Sequence, residues 1–292
     1  MLPEFDLLMP RTLPEALDAL VASGPDVTPI AGGTNLIVDM RAERHCPTVV
    51  MNIAGLPELR GIRRENGHVV VGGGTTIAEL LRHPLIAQHA PALKESAAVF
   101  ANPLTRNRAT VGGNLADASP AADTAPPLLA LGAEVELVSK TGTRRVPLEE
   151  FIINVRRTLL RPDELLAAVR WPVTSKRSAS AFYKLGLRKA DAISVVSAAV
   201  IIEGDENGRC RSARIALGAV APRPIRAHEA EAALRGQSLT PDVIAEAAHL
   251  SAEATRPIDD IRSSAAYRRR VTEAIVRRLL TQVAGRCGVK EA

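Results

Sequence analysis

The stretch RATVGGNLADASPAADTAPPLLAL, residues 108–131, sets two adjacent glycines and several short polar side chains ahead of an apolar segment punctuated by prolines. Gly112 and Gly113 permit a close backbone approach that a Cβ would block, and Thr110, Asn114, Asp117 and Ser119 supply hydroxyl, amide and carboxylate groups. Pro120 then begins a loop that leads into the apolar residues 125–131. Two readings fit these residues. The stretch is either a nest for a polar ligand or an irregular loop whose short side chains satisfy its own backbone.

A second glycine loop lies upstream. Thr12 and Glu15 form a capping box, Leu13, Leu17 and Leu20 recur at helical spacing, and Gly24 ends the pattern, which predicts a helix over 12–23. Val27 to Ile30 read as a short buried strand entering AGGTNLIVDM, residues 31–40, where Gly32 and Gly33 make a turn and Leu36 resumes a helical pattern. Such a turn offers backbone amides and the positive end of a helix dipole to phosphate oxygens, although a plain tight turn has the same composition. Neither the G-x-G-x-x-G fingerprint nor the P-loop motif occurs. HVVVGGG, residues 68–74, repeats the strand-to-glycine pattern, and Thr76 with Glu79 caps a helix stopped before Pro84; this unit reads as scaffolding.

Composition narrows the class. The chain has 292 residues, 46% of them hydrophobic, which supports a real core. A net charge of +5 admits nucleic acid as a partner, but the basic residues are scattered and only one Trp, two Tyr and four Phe are present, so a basic surface is the better reading and no nucleic-acid partner is expected. Cys46, Cys210 and Cys287 are too far apart for a zinc or iron–sulfur motif and odd in number, which predicts ordinary thiols. The opening MLPEFDLLMPRTLPEAL lacks the sections of a signal peptide, and no apolar run reaches the roughly 18 residues of a membrane span, so a cytoplasmic location without a transmembrane segment is expected.

Farther along, VTSKRSAS at 173–180 reads as a linker, and residues 192–220 as two β-rich runs joined by a turn at 205–208. Thr240 and Pro241 start one helix, and residues 264–282 form another. In that last helix Tyr267, Val271, Ile275 and Leu279 share a stripe, with Arg268, Arg269, Arg270, Arg277 and Arg278 expected on a solvated face or against a partner.

AGGTNL at 31–36 and RNRATVGGNLADASPAADTAPPLLAL at 106–131 together resemble the FAD-binding subunit, or domain, of the molybdenum hydroxylases, the family of xanthine dehydrogenase and of the medium subunit of aerobic carbon monoxide dehydrogenase. The resemblance continues through FDLLMPRTLPEAL at 5–17, PDELLAAVRWP at 162–172, SAFYKLGLRKADAISVVSAAV at 180–200 and AYRRRVTEAIVRRLL at 266–280. It implies an α+β fold with an FAD-binding domain over 1–174, itself two subdomains meeting near 55–60, and a smaller C-terminal flavoprotein domain over 178–284. Thr105 departs from the family, which commonly places isoleucine before the Arg-Asn pair. The four-cysteine insertion that some relatives use for an additional cluster is missing from the sequence.

By the same resemblance, Ala31, Gly32, Gly33, Thr34, Asn35 and Leu36 hold the FAD pyrophosphate, and Ala109, Thr110, Gly113, Asn114, Asp117, Ser119 and Asp123 complete the pocket, Asp123 accepting from a ribose or ribityl hydroxyl. Valine at Gly33 or Gly113 is then expected to abolish flavin retention. Phe100 is placed against the isoalloxazine, with core filling as the competing role. Leu165 and Leu166 match a backbone and apolar contact segment. Lys184 matches a lysine near the flavin ring, unless it merely snorkels at a strand end. No side chain is expected to act as a catalytic acid or base, and no metal is expected in this chain. The implied complex carries electrons from a molybdenum cofactor on a large subunit, through two 2Fe–2S clusters on a small subunit, to the FAD and on to NAD, a quinone, oxygen or a carrier protein, as a dimer of heterotrimers. A self-sufficient flavin oxidoreductase and an assembly subunit that has lost FAD are the alternatives.

Overall fold

The computed structural model describes residues 2–286, so Cys287 lies outside the described residues. The chain opens with β1 (Asp6–Leu8), α1 (Leu13–Ser23), β2 (Val27–Ile30), α2 (Leu36–Arg41) and β3 (Val49–Asn52), whose strands form a parallel sheet in the order β1-β3-β2. Thr12 Oγ1 accepts from Glu15 N at 3.3 Å, and the Glu15 carboxylate accepts from Arg11 N at 2.7 Å, one residue before the cap it was expected to reach. Leu17 and Leu20 pack with Met51, Leu56 and Leu165, so the apolar stripe of α1 fixes it against this sheet.

Next come β4 (Ile62–Glu65), β5 (His68–Gly72), α3 (Ile77–Arg82), α4 (Pro84–His89), α5 (Pro91–Val99), α6 (Pro103–Arg106), α7 (Val111–Ala116), α8 (Ala125–Ala130), β6 (Glu134–Ser139), β7 (Gly142–Pro147), α9 (Leu148–Phe151), β8 (Ile152–Asn154), β9 (Arg157–Thr158) and β10 (Leu165–Pro172). Five of the strands make an antiparallel sheet in the order β4-β5-β10-β6-β7, while β8 and β9 form a separate hairpin. Buried Trp171, Phe151, Leu128 and Leu115 belong to the largest core. Both halves of the Thr76–Glu79 capping box are made. The glycines after β5 serve packing between segments: a Cβ on Gly73 would lie 2.1 Å from the Leu166 carbonyl oxygen, and one on Gly112 would lie 2.7 Å from the Gly73 carbonyl oxygen.

The remainder is β11 (Ser178–Gly186), β12 (Ser194–Gly204), β13 (Cys210–Gly218), β14 (Ile225–Arg226), α10 (His228–Leu234), α11 (Pro241–Glu253) and α12 (Ala265–Ala284), with the strands antiparallel in sequence order. β11 starts at Ser178, inside the stretch read as a linker. Asp205 Oδ1 accepts from Asn207 N and Arg209 N, which closes the turn between β12 and β13.

One expectation about α12 is corrected. Arg268 is buried and Tyr267 is exposed, so the packed stripe runs through Arg268, Thr272, Ile275 and Leu279, and only Arg269, Arg270, Arg277 and Arg278 face solvent. The reason is tertiary: the Arg268 guanidinium donates to Asp260 Oδ1 at 2.6 Å and to the carbonyls of Ala219 at 2.7 Å and Val195 at 3.2 Å. Among the described residues, no helix is long and apolar enough to cross a membrane and no cluster of His, Cys, Asp or Glu could hold a metal ion.

Two carboxylates make the fold sensitive to acid. Burial pushes Glu164 up, but hydrogen bonds from the Arg144 guanidinium and Arg161 N outweigh it and hold the group below its ordinary value of 4.5. Desolvation of Asp260 is likewise outweighed by Arg262 and Arg268, which hold it well below 3.8. Because both are depressed in the folded chain, their stabilisation is present above those ordinary values and is lost as the pH falls through the folded ones. The urea midpoint should therefore be lower at about pH 3 than at about pH 6. Asp123 and Glu95, both pushed up by burial, oppose this trend, so the decisive comparison is Glu164→Gln/Asp260→Asn: a midpoint falling as far as the parent's between these pH values would deny the two carboxylates that role.

Candidate functional site

A cavity of about 660 Å³ opens between the loop after β2 and the segment entering α7, within the size range of small-molecule sites. The two walls touch at Gly32. A Cβ on Gly32 would lie 2.0 Å from the Arg108 carbonyl oxygen and 2.5 Å from its carbon, so only glycine lets the loops meet there. Gly33 follows at φ +72°, a left-handed turn that swings the chain into α2. The amides of Gly32, Gly33, Thr34 and Asn35 meet no acceptor among the described residues.

On the opposite wall, Thr110 caps α7, its Oγ1 accepting from Gly113 N at 3.0 Å. Asn114 turns its Oδ1 to the Thr124 hydroxyl at 2.6 Å, which leaves the side-chain amide as a donor. Phe100 combines the two roles weighed for it, since it belongs to the core and also lines the cavity. The structure thus brings Ala31, Gly32, Gly33, Thr34, Asn35, Leu36, Phe100, Ala109, Thr110, Gly113, Asn114 and Asp117 onto one cavity.

Five other expected residues do not line it. Ser119 Oγ accepts from Ala121 N at 3.3 Å in a local turn. Leu165 and Leu166 are buried, with the Leu166 carbonyl against Gly73. Asp123 and Lys184 form an ion pair at 2.6 Å with both side chains almost wholly buried, and Ser194 Oγ donates to the second Asp123 oxygen at 2.8 Å. Lys184 Nζ also lies 3.5 Å from the carbonyl of Val99, the residue before Phe100, which puts the pair next to a residue of the cavity wall. The lysine is therefore no snorkelling surface group. Burial pushes the Asp123 carboxyl up, against the opposing pull of Lys184.

Several wall residues carried no sequence signal that was read: Thr28, Asp39, Arg44, His45 and Arg156. Asp39 was within reach of pattern reasoning, because it lies one helical turn beyond Asn35 and its N donates to the Asn35 carbonyl at 2.9 Å. Arg156 was not, since it arrives from the β8–β9 hairpin.

This arrangement suits a dinucleotide: unpaired amides and a hydroxyl on one wall, an amide donor on the other and an aromatic ring in the lining. Residues 3–174 match the model of the FAD binding domain in molybdopterin dehydrogenase, and residues 181–283 match that of the CO dehydrogenase flavoprotein C-terminal domain. The chain belongs to the FAD-binding medium subunits of the molybdenum hydroxylase family. This medium subunit is 34% identical to subunit alpha of the 6-hydroxypseudooxynicotine dehydrogenase complex of Paenarthrobacter nicotinovorans, over 96% of this chain and 94% of that one. Its fold superposes on a chain of carbon monoxide dehydrogenase from Hydrogenophaga pseudoflava with a TM-score of 0.94 and 32% identity, covering 98% and 99% of the two chains. Quinoline 2-oxidoreductase from Pseudomonas putida 86 follows at 0.90 and 31%, with 98% of each chain covered. Like these relatives it is an oxidoreductase subunit.

The Asp123–Lys184 pair permits a stability test. Lys184→Met leaves a buried carboxylate without its cation and should cost about 3–5 kcal/mol, most of it recovered in Lys184→Met/Asp123→Asn. Equal thermal midpoints for the single variant and the parent would contradict the buried pairing.

Proposed function

We propose that the cavity holds FAD and that the chain passes electrons to an external acceptor from two 2Fe–2S clusters on a small partner subunit. Those clusters would be supplied by a molybdenum cofactor on a large subunit, where the substrate is hydroxylated. The assembly we envisage is a cytoplasmic dimer of heterotrimers. Bound FAD would supply the redox chemistry that links one-electron donors to a two-electron acceptor.

The chain's own residues bind and orient. The free amides of Gly32 to Asn35 and the Thr34 hydroxyl donate to the pyrophosphate, and the Asn114 amide contributes from the facing wall. Phe100 offers an apolar face to the ring system. Lys184, withdrawn from water and ion-paired with Asp123, is held beside Phe100 with its ammonium 3.5 Å from the Val99 carbonyl. Ser119, Asp123, Leu165 and Leu166 support the walls from behind.

The observation that carries this reading is the Gly32–Arg108 contact, which joins two loops around a row of amides that no protein group satisfies. The test is the visible spectrum of the purified chain, alone and coexpressed with its partners, with identification of the flavin released on denaturation. Stoichiometric FAD is expected. A complex with iron–sulfur absorption and no flavin would make this an assembly subunit, and turnover of a small substrate by the isolated chain would make it a self-sufficient oxidoreductase.

A further inference from the structure

Arg156 stands at the tip of the β8–β9 hairpin with φ +56°, a conformation that side chains other than glycine seldom adopt. Its amide donates to the Ala118 carbonyl at 3.0 Å, which holds the tip against the end of α7. From there a single guanidinium nitrogen, Nη1, reaches two carboxylates: Asp117 Oδ1 at 2.6 Å, just after α7, and Asp39 Oδ2 at 3.1 Å, in α2. Arg44 pairs with the other Asp39 oxygen at 2.9 Å. All four residues line the cavity, and the Asp39 and Asp117 side chains retain only 14% and 11% of their exposure.

Asp39 belongs to the helix that follows one cofactor loop, and Asp117 ends the helix that follows the other. The arginine therefore ties the two walls together through its side chain. Two carboxylates also face a cavity whose proposed occupant carries a diphosphate, a repulsive arrangement unless cations neutralise them. Arg44 and Arg156 do so.

We infer that Arg156 is a latch for the cofactor, a positioning residue that acts through Asp39 and Asp117 to hold the two loops at binding separation. The inference rests on the proposed binding of FAD between those loops. Because the Arg156 side chain is 53% exposed, its removal disturbs no core.

The test uses the full chain stripped of flavin and titrated with FAD, following flavin fluorescence for Kd and dilution for the release rate. Arg156→Met is expected to weaken FAD by about tenfold, two partly withdrawn ion pairs being lost together, while the thermal midpoint of the flavin-free chain stays within about 2 °C. Arg156→Lys should recover part of the affinity. Asp39→Asn/Asp117→Asn should weaken FAD as well, and adding Arg156→Met to it should bring little further loss. Raising the salt should speed release from the parent more than from Arg156→Met.

An arginine acting directly on the diphosphate predicts the opposite for Asp39→Asn/Asp117→Asn, which would free the cation and tighten binding; that result overturns the latch. So does an Arg156→Met chain with the parent's Kd. If the parent itself fails to bind FAD, the functional reading falls and the latch with it.

Discussion

A Gly32→Ala chain is expected to purify folded and almost colourless, retaining less than about a tenth of the parent's FAD. The added methyl would meet the Arg108 carbonyl oxygen at 2.0 Å, its carbon at 2.5 Å and Ala109 N at 3.0 Å. These are backbone atoms and cannot rotate aside as a side chain would. To reach normal contact the loops must part by more than about 1 Å, and it is their apposition that shapes the cavity. The neighbouring glycines rank lower. Alanine at Gly33 would be strained at φ +72°, yet its Cβ meets only the Ile30 and Ile37 side chains, at 3.1 Å and 3.3 Å. At exposed Gly113 the one close atom is Thr110 Oγ1, at 2.9 Å. The sequence singles out Gly33 and Gly113; the structure moves the greatest sensitivity to Gly32. FAD-to-protein ratios for the three alanine variants give the order directly, and stoichiometric FAD in Gly32→Ala would remove the loop contact from the account of binding.

Arg268→Met is expected to lower stability by about 3–5 kcal/mol, a fall of roughly 10 °C in the thermal midpoint. The loss comes from what is left behind. Asp260 keeps only Arg262 as a charged partner, and the Ala219 and Val195 carbonyls lose the donor that satisfies them inside the C-terminal unit. Arg268→Lys should fall between the two, because an ammonium cannot reproduce the planar fork that serves three acceptors. Arg269, the next residue and exposed, should tolerate methionine within about 0.5 kcal/mol. A loss below about 1 kcal/mol for Arg268→Met would mean that the buried pair contributes little beyond its own desolvation.

Short spacing along the chain encodes its caps and turns. The Thr12, Thr76 and Thr240 caps each accept from an amide three residues ahead, and Asp205 closes its turn onto residues two and four ahead, whereas the Thr110 cap of α7 lies in a stretch read as a nest or loop. Such bonds depend on neighbouring backbone alone, so residue type and offset suffice to read them. The two glycine loops were legible as turns of close backbone approach, while the family and its cofactor were implied by the resemblance of those stretches. What only the tertiary structure decided is which distant group each of these meets: Gly32 meeting Arg108, Arg156 reaching Asp39 across 117 positions, Asp123 meeting Lys184 across 61, and Arg268 turned inward onto Asp260. An arginine on an amphipathic helix reads as solvated whatever its fate, because its burial depends on acceptors brought by other strands and loops. Those partners are set by the packing of whole sheets and helices, and no local pattern carries that information.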